Sequence, residues 1–521
     1  MRIRRSAALA AVATVGLTAG SAPPAQADLL GGLLGVVGGV VGGLVGVVST
    51  ALDTTTGLLT GADWGYSSSE TSMSSVNETI GADKMQTLGY TGKGVGVALI
   101  DTGVVPVKGL TSGNVVNGPD LSLDNPMTGL AQHDGFGHGT HMAGIIAGND
   151  GTSTGFKGVA PGAKLLSVKV GAYDGAVDVS QVIAGIDWVV QHRADNGMNI
   201  RVINLSYGTD GVQSSQIDPL AAAVEHAWQH GIVVVVAGGN SGTTRTSLDN
   251  PATDPYVIAV GADDTNQTAS ATDDSIPDFS SRGSSSRHVD LVAPGQSIVS
   301  LRDQGSVIDT EYPKAVVNTR FFKGSGTSQA TAVTSGAVAL LLQQHPAWTP
   351  DQVKSALTST AVALPQASAQ DRGAGLLNVL SAGTFAVGSG TQTWLRSSGL
   401  GTLEGSRGTA HVASNGTDLT GEEDIFGAAW HASTWSSASA AGDAWSGGAW
   451  NGHTWSGSCW CGSSWTSSTW SGSHWSGTDW SGSYWSSDTW SGSYWSGSYW
   501  SGSHWSGSYW SGSHWSGSMW S

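Results

Sequence analysis

The chain has 521 residues, 76 of them glycine, a formal net charge of −17 and only 12% charged side chains. That length admits one large α/β enzyme with appendages, or two to three ordinary domains. The acidic balance argues against nucleic acid or an anionic membrane surface as the main partner, and the glycine excess marks low-complexity stretches beside a normal core.

Residues 1–27 read as an export signal. Arg2, Arg4 and Arg5 form a positive start, Ala7 to Leu17 an apolar run, and Ala25-Gln26-Ala27 a small-residue cleavage site. The expected location is therefore outside the cell, with retention at the envelope left open. Residues 28–70 form a Gly/Val/Leu-rich segment and linker. Within it, Leu29 to Val48 contains only Leu, Val and Gly, with Gly31, Gly35, Gly39 and Gly43 four apart. That spacing suits closely approaching membrane helices, yet eight glycines weaken a helix in water. A self-associating segment and a flexible part of a removable pro-segment both stay open.

From 71 to 383 the composition is that of a globular α/β domain. Val95 to Ile100, Leu165 to Val170, Val202 to Leu205 and Ile232 to Val236 are short apolar runs that hardly alternate, as strands buried on both faces do. Val179, Val182, Ile183, Ile186 and Val190 recur at three and four, which is one face of a helix. Further helices are expected over Ala221 to His230 and Ser328 to Gln344. Strand and helix in alternation predict a mostly parallel sheet with helices on both faces.

Residues 384–429, rich in Gly, Ser and Thr, read as a flexible linker. From 430 to 521 a tryptophan recurs every fifth residue, 18 in all, with only the slot at Ala440 missed. The unit is Trp-Ser-Gly-Ser-x, and a period of five fits neither the helical 3.6 nor the strand period of 2. Adhesion through aromatic rings, to envelope glycans or to other copies of the chain, and a low-complexity tail without a single partner are both compatible with it. The two cysteines, Cys459 and Cys461, lie in this tail, so the expected core is cysteine-free.

Three motifs carry chemistry. Asp101-Thr102-Gly103 follows the first apolar run, placing a carboxylate beyond the carboxyl end of a strand, where functional groups of parallel sheets collect. His138-Gly139-Thr140-His141 opens a helix. His138 and His141 are three apart, but no Glu follows His138 in an HExxH pattern, so a zinc site is not expected. Gly324-Ser325-Gly326-Thr327-Ser328 sets a serine at a helix start, where free backbone N–H groups can meet a developing oxyanion. A single Asp-Thr-Gly excludes the aspartic proteases, which need two.

The three motifs in the order Asp, His, Ser, separated by 37 and 190 residues, resemble the subtilisin-type serine peptidases over roughly 71–383. The resemblance implies a subtilisin-like α/β fold and hydrolysis of peptide bonds in proteins or peptides. It makes Ser328 the nucleophile, His138 the general base and acid, and Asp101 the group that orients the imidazole. His141 would be structural. Asn240, closing the run Ile232 to Gly239, would be the oxyanion donor. Ser206, Tyr207 and Gly208 would lie along the substrate backbone, with Gly208, Gly238 and Gly239 leaving room for the side chain before the cut bond. Gly158-Val159-Ala160-Pro161, Asp278 to Gly283 and Val292 to Gly295 also fit the family. The chain departs from it at Ala332, where a proline is usual, and at Gln329, where a methionine is common. No cofactor is required by this chemistry, and Asn149, Asp150 and Thr152 occupy a loop where relatives bind calcium. The competing reading is an inactive envelope adhesin whose tail is its function.

Overall fold

The computed structural model describes residues 71–124, 130–409, 411–414, 417–446, 448–454 and 483–485. The expected signal sequence, the Gly/Val/Leu segment, the cysteines and most of the pentapeptide repeats lie outside the described residues.

Seven parallel strands form the central sheet in the order β2-β3-β1-β4-β5-β6-β7. They are β1 (Gly96–Asp101), β2 (Val115–Asp120), β3 (Lys164–Lys169), β4 (Ile200–Leu205), β5 (Val233–Ala237), β6 (Ile258–Asp263) and β7 (Leu291–Pro294). Every residue of β1, β5, β6 and β7 is buried, as expected of strands covered on both faces, whereas edge strand β2 is partly exposed. The order reverses direction about β1 and β4, opening a crevice beyond their carboxyl ends.

Helices α1 (Met73–Ile80), α2 (His138–Ala147), α3 (Val179–His192), α4 (Pro219–Gln229) and α5 (Thr327–Gln344) frame the sheet. Buried α5 crosses β4 to β7 and packs against α2. On the other side α3 and α4 pack together. Both have built starts. Asp178 and Gln181 form a capping box on α3, and Asp218 accepts the Ala221 N–H before α4, whose first residue is Pro219. At Ala332, where the family resemblance leads to the expectation of a proline, α5 simply continues.

The stretch 384–429 is not a flexible linker, and the domain does not end at residue 383. It runs across the outer side of α3 and α4 and is tied down along its length. Ser397 N–H donates to Glu225 Oε1 at 2.8 Å, Ser406 Oγ to Asp218 Oδ2 at 2.8 Å, and Ile425 N–H to Ser180 Oγ at 3.0 Å. From the short helix α6 (Leu403–Arg407), the Arg407 guanidinium meets Asp178 at 2.7 Å with both side chains 0% exposed. A lone buried charge here would be severely destabilising; the pair, with carbonyls of Gly421 and Glu423 on the same guanidinium, satisfies it.

The first tryptophans of the repeat belong to this fold. Trp430, Trp435, Trp445 and Trp450 are buried, two of them flanking α7 (Ala432–Ala441). Trp435 Nε1 and Trp450 Nε1 both donate to Asp187 Oδ2 at 2.8 and 2.9 Å, Ser439 donates to its other oxygen, and Trp445 Nε1 donates to Ala184 O at 3.0 Å. Burial raises the Asp187 carboxyl to about 6, against the pull of these donors. Asp187 is 3% exposed because these indoles cover it. Each such ring removes on the order of 200 Å² from water, worth about 5 kcal/mol at roughly 25 cal/mol per Å². Further along, Ser483–Trp485 forms a short strand antiparallel to Gly324–Gly326.

In a Ser328→Ala background that prevents self-digestion, deleting 384–521 should lower the calorimetric Tm by roughly 10 °C or abolish folding, since several such burials are lost together. Deleting only 455–521 should leave the transition nearly in place. Equal transitions for the two truncations would show that the extension does not stabilise the domain.

Candidate active site

β1 ends on Asp101, and α2 begins on His138. Between them His138 Nδ1 donates to Asp101 Oδ1 at 2.8 Å, both side chains being 1% exposed. The Thr102 N–H donates to the same oxygen at 2.8 Å. Burial pushes the Asp101 carboxyl above its usual value, while the His138 charge and hydrogen bond, followed by the Thr102 N–H, pull it down.

Asp134 fixes where α2 starts. Its Oδ1 accepts from Thr102 Oγ1 at 2.8 Å and from the Gly137 N–H at 2.7 Å, and its Oδ2 accepts from the Thr140 N–H at 2.7 Å. Because the Gly139 N–H donates to Thr102 Oγ1 at 2.9 Å, one carboxylate and one hydroxyl join the end of β1 to the first turn of α2. A second brace is Lys169, opposite Asp101 in the β1–β3 register and 0% exposed. Its Nζ donates to Thr102 O at 3.0 Å and His133 O at 2.7 Å and pairs with Asp124 Oδ2 at 2.9 Å.

Ser328 is the second residue of α5, and its buried Oγ has no hydrogen-bond partner among the described residues. Nucleophile–base contacts often tighten only when substrate is bound. Around it, Ser206 Oγ donates to Ser328 O at 3.2 Å and accepts from Asn204 Nδ2 at 3.0 Å. The Gly239 N–H donates to Thr327 Oγ1 at 3.2 Å, and the Thr327 N–H donates to Asn240 Oδ1 at 2.9 Å. That bond decides which end of the Asn240 amide is oxygen, so its NH2 is the opposite, donor end. Thus the carboxyl ends of β1, β4 and β5 bring Asp101, Ser206 to Gly208 and Gly238 to Asn240 to one edge, where α2 and α5 also start.

Three expectations change in detail. Tyr207 and Ser206 are each 1% exposed, so neither side chain is presented to a substrate. Val202 to Leu205 is no open edge, since β4 pairs with β1 and β5 on its two sides; only the chain beyond Leu205 leaves the sheet. Asn149, Asp150 and Thr152 do not fit a calcium ion. Arg320 takes both Asp150 oxygens, one at 2.8 Å, and Lys108 stands 3.9 Å away, so the carboxylate already has its cations. His141 is fully buried and held well below the usual histidine range, by burial first and by His138 second, and is therefore neutral.

Sequence reasoning passed over Asp134, Lys169 and Thr327. Signals for the first two were present: an Asp a few residues before a helix start, and a lysine at the end of an apolar run.

Residues 92–401 match the model of the Subtilase family, more than half of the chain. The chain belongs to that family. This subtilase is 42% identical to serine protease AprX of Bacillus subtilis (strain 168) over 274 residues, 51% of this chain and 61% of that protein. It is 37% identical to subtilisin DY of Bacillus licheniformis over 306 residues, 58% of this chain and 96% of that protein. It therefore spans less than two thirds of AprX but nearly all of subtilisin DY. A similar solved structure is fervidolysin from Fervidobacterium pennivorans, described as a keratinolytic enzyme related to subtilisin. There the identity is 28% and the TM-score 0.48, covering 60% of this chain and 45% of that one. The family match runs on to residue 401, past the boundary expected at 383.

Lys169→Met should destabilise the subtilase by about 3–5 kcal/mol, because Asp124 and two carbonyls lose a buried partner together. Denaturant unfolding of a Ser328→Ala form measures it. Asp124→Asn together with Lys169→Met should recover part of the loss; no recovery would show that the ion pair is not the source.

Proposed function

We propose that this subtilase is an exported serine endopeptidase working through Asp101, His138 and Ser328. The observation that carries the reading is the buried Asp101–His138 hydrogen bond at the same sheet edge as the head of α5. With Nδ1 donating to Asp101, the neutral imidazole has its lone pair on Nε2, the atom that can take a proton from a serine hydroxyl.

In that reading Ser328 Oγ attacks the scissile carbonyl carbon as His138 removes its proton, giving a tetrahedral oxyanion. The Asn240 NH2 and the Ser328 backbone N–H at the start of α5 are the donors to that oxygen. Collapse breaks the C–N bond, His138 gives its proton to the departing amine, and an acyl-enzyme ester stays on Ser328. Water, deprotonated by His138, then releases the acid and restores the serine. Asp101 stabilises the imidazolium formed in each step. The substrates are proteins or peptides in extended form, bound along the backbone of Ser206 to Gly208. No cofactor takes part.

Ser328→Ala should abolish both casein cleavage and labelling by a fluorophosphonate, leaving at most residual catalysis from binding. Asn240→Ala should lower kcat by about 10²-fold or more with KM nearly unchanged, because its contact forms in the transition state. Undiminished labelling of Ser328→Ala would put the nucleophile elsewhere, and no labelling of the wild type would leave the inactive-adhesin reading in place.

Export rests on the arginines and apolar run of residues 1–27. Tail-mediated retention rests on the tryptophan period, which beyond residue 454 presents large rings able to stack on sugars or on one another. Deleting 455–521 should shift the enzyme from washed cell walls to the medium while leaving turnover of a short peptide unchanged. Equal partition of the two forms would remove the adhesion role.

A further inference from the structure

Beyond the sheet, the chain leaving β4 and the chain leaving β5 run side by side past Ser328, and the space between them has a charged end. Asp249 occupies it. Its backbone N–H donates to Gly238 O at 3.1 Å, and the next residue pairs both ways with Thr209, each bond 2.9 Å. The side chain is therefore fixed between the two segments by its own backbone. A Cβ on Gly208 would stand 2.7 Å from Asp249 Cβ, and one on Gly239 would lie 2.6 Å from its Cγ. Gly239 also has φ of 107°, in the left-handed region that favours glycine. Any side chain at either position would expel the carboxylate from the slot.

Asp249 is 4% exposed, and Arg245 pairs with one of its two oxygens. Arg245 Nη1 donates to Oδ1 at 2.6 Å, while its other arm turns to Ser247 Oγ. Oδ2 is the atom against Gly239, on the slot side. Burial, with Asp210 as a nearby like charge, raises the carboxyl to about 7 against the pull of Arg245, so a further cation would stabilise its charged form.

We infer that Asp249 sets which side chain this enzyme accepts immediately before the cut bond, and that the slot between Gly208 and Gly239 takes a cationic tip, lysine or arginine, on Asp249 Oδ2. A carboxylate-tipped side chain would meet like charge in a desolvated slot, and an aliphatic one would leave Oδ2 unpaired. The inference rests on the peptidase reading and names its substrate class.

The test is kcat/KM of the full chain on tetrapeptide nitroanilides that differ only in the final residue: lysine, leucine or glutamate. The wild type should favour lysine over leucine by about tenfold and scarcely cleave the glutamate substrate. Asp249→Asn should bring the lysine-to-leucine ratio of kcat/KM down to about one, a selective change that a merely structural ion pair would not give. Arg245→Ala, which leaves the carboxylate unshared, should raise the lysine-to-leucine ratio. An unchanged ratio in Asp249→Asn overturns the inference. If that variant does not fold, Arg245→Ala decides, a raised ratio supporting the inference and an unchanged one overturning it. Cleavage of none of the three substrates by the wild type, together with no fluorophosphonate labelling, would overturn the peptidase reading itself.

Discussion

A lysine ammonium with no access to water sits under the catalytic edge, and much of the local geometry follows from it. Removing such a charge from solvent costs several kcal/mol, so the surrounding acceptors must be close and correctly aimed. Lys169 finds them on three separate pieces of chain: Thr102 just past β1, His133 just before α2, and Asp124 beyond β2. Satisfying one cation therefore draws together the segments that present Asp101 and His138. Asp134 does the same from the other side, with the opposite charge and with N–H and hydroxyl donors. The Asp101–His138 pair is thus held between segments tied by a buried ammonium and by a buried carboxylate.

The nucleophile's side is built differently, with neutral groups. Asn204, Ser206 and Ser335 run from β4 into α5, and Thr327 reaches both Gly239 and Asn240. A serine at the head of a long buried helix has a backbone it cannot adjust, so the adjustable partners lie on the strand ends. This division puts charged braces around His138 and hydroxyl–amide braces around Ser328, which in the proposed reaction keeps fixed charges away from the developing oxyanion.

The sheet could be read from the chain because β1, β3, β4 and β5 are short runs of Val, Ile and Leu that bury both faces, and nothing else a sequence does looks like that. The helices α3, α4 and α5 were within two residues of their expected limits for the same reason. β2 was missed because an edge strand containing Asn117, Gly118 and Pro119 has no apolar run to see. Asp101, His138 and Ser328 were legible as motifs, since each needs a specific residue at a specific end of an element. Asp249 was not, because the glycines it packs against, Gly208 and Gly239, lie elsewhere along the chain. The largest misreading concerned 384–454. Gly, Ser and Thr there suggested a tether, but composition reports only how little apolar surface a segment brings, not how much its neighbour offers. One tryptophan every fifth residue was enough to close over α3 once Asp187 supplied a shared acceptor.

That arrangement also decides how the molecule bears load. The pentapeptide series enters the fold at Trp430, and its first members grip a carboxylate in the middle of α3, not a dispensable loop. Tension applied to the far end of the chain would meet the Ser483–Trp485 strand on Gly324–Gly326 before it reached the indole–carboxylate contacts on α3. A pull on the repeats would thus bear first on the segment that leads into Ser328, while the indoles of Trp435 and Trp450 hold the opposite layer of the sheet.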